Sequence, residues 1–153
     1  MIFFLLWLCV AAVDDYINRK ARNWINLIGL VMALYVAASG SQTHLLGVSL
    51  GESLFSSVVC FLIFILFYFF RLMGAGDVKF AAALGAWVGW NIFLPIWALS
   101  CIFSVAHGFL VKSDMKYYFS PLIKLEVKRN GERFIPYVTY LSIATVIVLM
   151  LNK

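Results

Sequence analysis

The sequence predicts an all-α integral membrane protein with about six transmembrane helices. Of its 153 residues, 64% are hydrophobic and 12% are charged, and the mean hydropathy is +0.97. Soluble domains are nearer half apolar and a quarter charged. Because one span needs about 20 apolar residues, this length allows six spans and leaves little for a soluble domain. We therefore expect a single polytopic membrane domain over residues 1–153.

Six apolar runs, divided by polar or Gly- and Pro-containing segments, define the predicted helices. The first run, 1–13, is too short to cross a bilayer alone, at about 1.5 Å per residue, so we expect its helix to continue through Asp14 and Asp15. A turn is predicted at 91–95, and the short apolar segment 45–51 is expected to lie on or dip into the membrane. The other predicted helices cover 24–38, 52–70, 80–90, 96–111 and 135–151. Small residues in the fourth helix favour close helix packing.

The basic residues are distributed unevenly about these helices. All but one of the twelve fall in the segments 14–23, 71–79 and 112–134. Cytoplasmic loops carry such an excess of Lys and Arg. The sequence therefore predicts that these segments are cytoplasmic and that Asp15 and Asp77 lie on the same side at similar depth. The basic run after residue 123 is expected to face anionic lipid and not nucleic acid.

One carboxylate follows two glycines in the stretch Met73-Gly74-Ala75-Gly76-Asp77-Val78-Lys79. An acid beside a membrane is costly, which makes it a candidate for function. Glycines lack a Cβ atom and let the backbone leave helical geometry. Our hypothesis is that Gly74 and Gly76 keep the chain before Asp77 open, so that a substrate strand can approach the carboxylate.

Asp15 and Asp77, on separate predicted helices at one depth, suit an aspartyl protease. Two carboxyl groups a few ångströms apart share a proton, because both cannot ionise cheaply. The ionised acid then takes a proton from water, while the neutral acid donates to the peptide carbonyl. The plainer interpretation is that each acid caps a helix or forms an ion pair, and we prefer it for Asp14. The basic residues that could form such an ion pair are Arg19, Arg22 and Lys79.

With these residues the chain resembles the prepilin peptidases. These membrane aspartyl proteases include the small peptidases of tight-adherence pilus systems and the archaeal preflagellin peptidases. The family pattern is an Asp after the first helix with an Asn eight positions later, then Gly-x-Gly-Asp-hydrophobic-Lys. Asp15 and Asn23 match the first element and residues 74–79 match the second. This offset selects Asp15, not Asp14, as the family's first acid, although Arg22 stands where Pro is usual.

The resemblance implies a GxGD-type aspartyl protease fold with Asp15 and Asp77 as catalytic residues. The substrate implied is a type IV prepilin-like precursor, cleaved beside its short basic leader on the cytoplasmic side of the inner membrane. No cysteine-rich zinc region or added segment is found, so we expect cleavage without N-methyltransferase activity and without a metal or cofactor. Membrane lipid is the other expected partner, and nucleic acid is not. The residues implied to position the loop or the substrate are Gly74, Gly76, Lys79 and Asn23.

Lys79 and Asn23 each allow two roles. Lys79 is either a cytoplasmic anchor or a cation that favours the ionised form of Asp77. Asn23 either orients a substrate carbonyl or caps the second helix, and capping is our preferred interpretation.

Two other classes of function stay open. A small proton-coupled transporter can use Asp15 and Asp77 as a relay. Transporters usually carry internal repeats, which this sequence lacks. The chain can also be a structural subunit of a secretion complex in which the two acids are inactive.

Cysteine labelling tests the predicted orientation. In a variant without native cysteines, a cysteine near Lys124 should react with an impermeant maleimide only from the cytoplasm. A cysteine within 40–43 should react only from outside. This segment lies across the membrane from the basic loops, which their Lys and Arg residues retain in the cytoplasm. Labelling after permeabilisation controls for buried thiols. The reverse pattern would overturn the orientation and the cytoplasmic position of the acids.

Overall fold

Five α-helices make up the described part of the chain in this computed structural model. The structure describes residues 2–18, 22–39, 47–71, 73–112 and 137–152. The helices are α1 (Ile2–Asn18), α2 (Asn23–Ala38), α3 (Leu50–Phe69), α4 (Ala75–Lys112) and α5 (Tyr137–Leu151). These ranges contain no strand, so the all-helical prediction is confirmed.

Two helices are long and apolar enough to cross a membrane: α3, and α4 over Ala75–Phe109. Helices α2 and α5 are apolar but shorter. Large apolar side chains such as Phe55, Leu62 and Phe69 of α3 stay exposed. These features are consistent with an all-α membrane protein, in which such side chains contact lipid. The segments 40–46 and 113–136 lie outside the described residues, so the orientation stays a prediction.

The prediction of separate fourth and fifth helices differs from the structure. Helix α4 runs through both, and the turn predicted at 91–95 is wrong, because those residues are helical. The helix is instead interrupted at Gly89, with φ 74° and ψ 164°. A positive φ is accessible to glycine at little cost, since it has no Cβ atom. Helix α4 therefore consists of two helical parts, before and after Gly89, so a break between the predicted fourth and fifth helices is present but lies earlier in the sequence than predicted.

Helix α3 begins with a capping box. Ser49 accepts a hydrogen bond from the backbone N–H of Glu52, and the Glu52 side chain accepts one from the backbone N–H of Ser49. The apolar segment predicted to lie on or dip into the membrane, 45–51, is described from residue 47 onward, and its last two residues belong to α3.

The first part of α4 is the centre of the core. Every residue from Phe80 to Gly89 is buried, and α4 packs against α2, α3 and α5. Its small side chains let α3 approach closely, as the prediction of tight packing expects. The Ser53 hydroxyl donates to the Ala86 carbonyl at 2.8 Å.

Two tryptophans attach α1 and α4 to the same helix, α2. Trp7 of α1 donates its indole N–H to the Ile25 carbonyl at 2.8 Å, and Trp87 of α4 donates to the Gly29 carbonyl at 2.9 Å. Buried indoles need such an acceptor. The Trp7 ring also stacks on Phe80, with centroids 5.1 Å apart. These contacts set the relative positions of α1 and α4.

Gly85→Ala should destabilise the protein, because a Cβ atom there would lie 2.6 Å from Cys60 Sγ and 3.2 Å from the Ser56 carbonyl oxygen. We expect a loss of about 1–3 kcal/mol, typical of overpacking, seen as a lower midpoint of thermal unfolding in detergent. The control is Gly108→Ala on the same helix, where no described atom other than those of the adjoining residues and the helix's own backbone lies within 4 Å of the new Cβ. A double variant with Cys60→Ala should regain part of the loss. Equal midpoints for the two single variants would contradict this packing.

Candidate active site

Asp15 lies in the last turn of α1 and is only 4% exposed. Its Oδ2 accepts a hydrogen bond from the backbone N–H of Thr139 at 3.2 Å and lies 3.4 Å from the Thr139 hydroxyl. Thr139 is the third residue of α5. Because the first N–H groups of a helix lack partners inside that helix, the Asp15 carboxylate satisfies the N-terminus of α5.

Asp77 lies in the first turn of α4 and is half-buried. Its Oδ2 accepts from the backbone N–H of Gly74 at 3.1 Å, and its own N–H donates to the Gly74 carbonyl at 3.1 Å. The predicted open chain up to Asp77 is therefore wrong, because helical structure already begins at Ala75. A Cβ atom on Gly74 would lie 3.3 Å from Asp77 Oδ2, so this glycine makes room for the carboxylate itself.

The two acids share one region with the start of α5. The charge of Asp15 acts on the Asp77 carboxyl, and the charge of Asp77 acts on Tyr137, the first residue of α5. The Tyr137 hydroxyl is bonded to Ser100 Oγ at 3.2 Å, which ties α5 to the later part of α4. Asp15 is thus bonded to the first turn of α5, and Asp77 lies at the start of α4, the helix that packs against α5.

Asp14 has a different environment from Asp15. Its Oδ1 lies 3.2 Å from Arg22 Nε and 2.7 Å from Asn18 Nδ2. The ion pair predicted for Asp14 is therefore confirmed, with Arg22 as the partner. Arg19, another predicted partner, lies outside the described residues.

A family comparison adds to this geometry. The model of the type IV leader peptidase family matches residues 2–109. The chain belongs to the type IV leader peptidase family. The matched range includes both acids and most of α4, so the resemblance seen in the sequence is confirmed at the family level. No curated protein and no solved structure gives a significant match.

In this leader peptidase chain, Lys79 and Asn23 contact each other. Lys79 Nζ donates to Asn23 Oδ1 at 2.8 Å, joining α4 to α2. Among the described residues Lys79 forms no ion pair with Asp77. The preferred capping role of Asn23 is wrong: Arg22 holds the N-cap position, no side chain bonds there, and Asn23 is already helical.

Asn26 is a site residue that the sequence interpretation missed. It is 4% exposed, and its Nδ2 donates to the Gly76 carbonyl at 3.0 Å. Asn26 follows Asn23 by one helical turn, so both amides of α2 face the start of α4. A buried Asn within an apolar run was the available signal, but its partner is 50 residues away in sequence.

A cavity of about 340 Å³ lies beside these contacts, between α2, α3 and α4. Its polar groups come from Asn23, Asn26 and Lys79, and neither catalytic candidate, Asp15 or Asp77, lines it. The remaining lining residues are Trp24, Leu27, Leu30, Phe61 and Ala82. The cavity is thus separate from the pair of acids.

Asn26→Ala should destabilise the contact that attaches the Gly-Ala-Gly-Asp segment to α2. Loss of a buried hydrogen bond costs about 1–3 kcal/mol, which should lower the thermal midpoint in detergent. The matched control is Asn18→Ala, since Asn18 is exposed and bonds only to the neighbouring Asp14 among the described residues. We expect that variant to stay within about 0.5 kcal/mol of the original protein. A larger effect at Asn18 than at Asn26 would contradict the assignment.

Proposed function

We propose that this chain is a membrane aspartyl endopeptidase that removes the leader peptide from type IV prepilin-like precursors on the cytoplasmic side. Its catalytic pair is Asp15 and Asp77. The proposal is supported by the family match, by the buried Asp15 bonded to α5, and by Asp77 at the start of α4, near enough to Asp15 for the two carboxyl groups to interact electrostatically. The proposal covers peptide-bond cleavage, without N-methylation of the product.

The chemistry follows from two acids that share one proton. The ionised carboxylate accepts a proton from water, which attacks the scissile carbonyl. The protonated carboxyl donates to the carbonyl oxygen, whose charge grows as the tetrahedral intermediate forms. The two groups titrate as a unit, so a pH–rate profile reports the pair. No metal or cofactor takes part in this scheme.

The other site residues hold Asp77 in position. Gly74 donates its N–H to the carboxylate and leaves space for it. The Gly76 carbonyl accepts a hydrogen bond from the Asn26 side chain, and the Lys79 ammonium donates one to the Asn23 side chain. Both contacts attach the first turn of α4 to α2, so we assign these residues to positioning the helix start that carries Asp77.

The proposed location is the inner membrane, with several spans. Six apolar segments are available if α4 counts as two, one on each side of Gly89. The others are α1, α2, α3 and α5. Helices α2 and α5, with 16 and 15 residues, are shorter than a typical hydrocarbon core even without tilt, so spanning by them requires locally thinned lipid. The family match favours this peptidase over a proton-coupled transporter that uses the same acids.

Asp15→Asn and Asp77→Asn should each abolish leader removal, by about 100-fold or more, because each role needs an ionisable carboxyl. The measurement is co-expression with candidate prepilins, scored by the loss of the leader on a gel. Membrane levels of both variants should stay normal, since Asn retains the shape and an acceptor oxygen.

Asp14→Asn is the matched control, one residue away and bonded to Arg22 and Asn18. It should retain most of the activity. An inactive Asp14→Asn with an active Asp15→Asn would shift the catalytic position by one residue. Full activity in both Asp15→Asn and Asp77→Asn would rule out the aspartyl mechanism.

A further inference from the structure

We propose that the N-terminus of α5, through Thr139, holds Asp15 as the charged member of the pair. Asp15 then activates the attacking water, and Asp77 carries the shared proton. Thr139 is accordingly a positioning residue for the reaction, and it lies outside the range matched by the family model. This inference rests on the proposed function.

Within the described part of the chain, the donors to the Asp15 carboxylate come from α5. The backbone N–H of Thr139 bonds Oδ2 at 3.2 Å, and an N–H group can only donate, so this oxygen is an acceptor. Burial of the Asp15 side chain, which is 4% exposed, opposes a negative charge, and the bonds from Thr139 offset that cost. The positive end of the α5 dipole adds to these bonds, and both favour a negative charge.

The Thr139 hydroxyl has two acceptors within reach. It lies 3.3 Å from the Ala12 carbonyl and 3.4 Å from Asp15 Oδ2, and it has one proton to donate. A charged Asp15 is the stronger acceptor, so the hydroxyl turns toward it when the carboxylate is ionised. The hydroxyl therefore stabilises the ionised form of Asp15 selectively. When Asp15 is protonated, the hydroxyl donates its hydrogen bond to the Ala12 carbonyl instead.

Among the described residues, Asp77 accepts fewer hydrogen bonds than Asp15. One N–H group, from Gly74, bonds its Oδ2, and it belongs to the residue just before the same helix. Asp77 lies at the N-terminus of α4, whereas Asp15 lies at the N-terminus of α5 but also in the last turn of α1, so the helix dipoles do not favour a charge on Asp15 over one on Asp77. The number of described hydrogen-bond donors distinguishes Asp15 from Asp77, because each bond to the charged form favours ionisation.

The other ionisable groups around Asp15 leave this assignment in place. Asp14, next to it on α1, opposes a second negative charge, but Arg22 lies 3.2 Å from Asp14 and offsets its charge. Lys79 is bonded to Asn23 on the α2 side of α4. The other titratable residues of these helices and of α5 are Cys9 and Tyr16 on α1, Tyr35 on α2, Asp77, Cys101, His107 and Lys112 on α4, and Tyr137 and Tyr140 on α5. Tyr137 is bonded to Ser100, and Tyr140 is bonded to His107.

The test compares Thr139→Val, Thr139→Ser and Thr145→Val in purified, full-length protein with a prepilin substrate. Val keeps the volume and the backbone N–H of Thr139 but removes the hydroxyl. We expect kcat to fall about tenfold with KM within about twofold, because the hydroxyl acts on the acid and not on the substrate. The acidic limb of the kcat/KM profile should move up by about one pH unit, since the charged form has lost a donor.

Two variants serve as references for this change. Thr139→Ser keeps the hydroxyl and should restore both kcat and the pH profile. Thr145→Val makes the same chemical change on α5, where, as far as the structure describes the chain, the hydroxyl bonds the Leu141 carbonyl of its own helix at 2.7 Å and no other group. That variant should cleave at the original rate with an unshifted profile.

A Thr139→Val protein with an unshifted acidic limb, or with a limb shifted to lower pH, would overturn the inference. So would equal losses in the Val and Ser variants accompanied by a lower thermal midpoint. Thr139→Ala, which is smaller and favours a helix, gives the same comparison if Val does not fold. Asp15→Asn and Asp77→Asn are measured in parallel: cleavage by both rejects the proposed function, whereas inactivity of both with an unshifted Thr139→Val profile rejects only this inference.

Discussion

The contact between Asp15 and the first turn of α5 satisfies two groups that would each be costly alone. A carboxylate that is 4% exposed needs donors, and the first N–H groups of an apolar helix need an acceptor. One pair of hydrogen bonds from Thr139 meets both needs across a sequence separation of 124 residues. The same contact closes the bundle between its first and last helices and orients the acid, so stability and the proposed chemistry depend on one interaction.

Helix α4 brings the second acid to that contact. Its buried, small residues allow close packing on α3, and the indoles of Trp7 and Trp87 attach α1 and α4 to a common partner, α2. Asn26 and the Lys79–Asn23 bond then attach the start of α4 to the same helix. The position of Asp77 relative to Asp15 thus follows from how α1 and α4 share α2, more than from the local shape of the Gly-Ala-Gly-Asp segment.

The family match and the site differ in extent. The match covers residues 2–109 and so includes both acids, whereas the helix that binds Asp15 begins at Tyr137. Family membership accounts for a pair of carboxyl groups and for their proposed use in peptide cleavage. The distinction between the two acids comes from α5, because that helix supplies donors to Asp15.

Composition and local pattern predicted the helical class, the apolar membrane-type helices and the ion pair of Asp14, and the motif resemblance predicted the family. These features depend on apolar content and on residues a few positions apart. The start of α4 at Ala75, its break at Gly89, and the partners of Asn23, Asn26 and Asp15 were decided only by the tertiary structure. Each of those partners is at least 50 residues away in sequence. A polar side chain in an apolar run signals that it needs a partner, but helix packing determines which group comes within hydrogen-bonding distance.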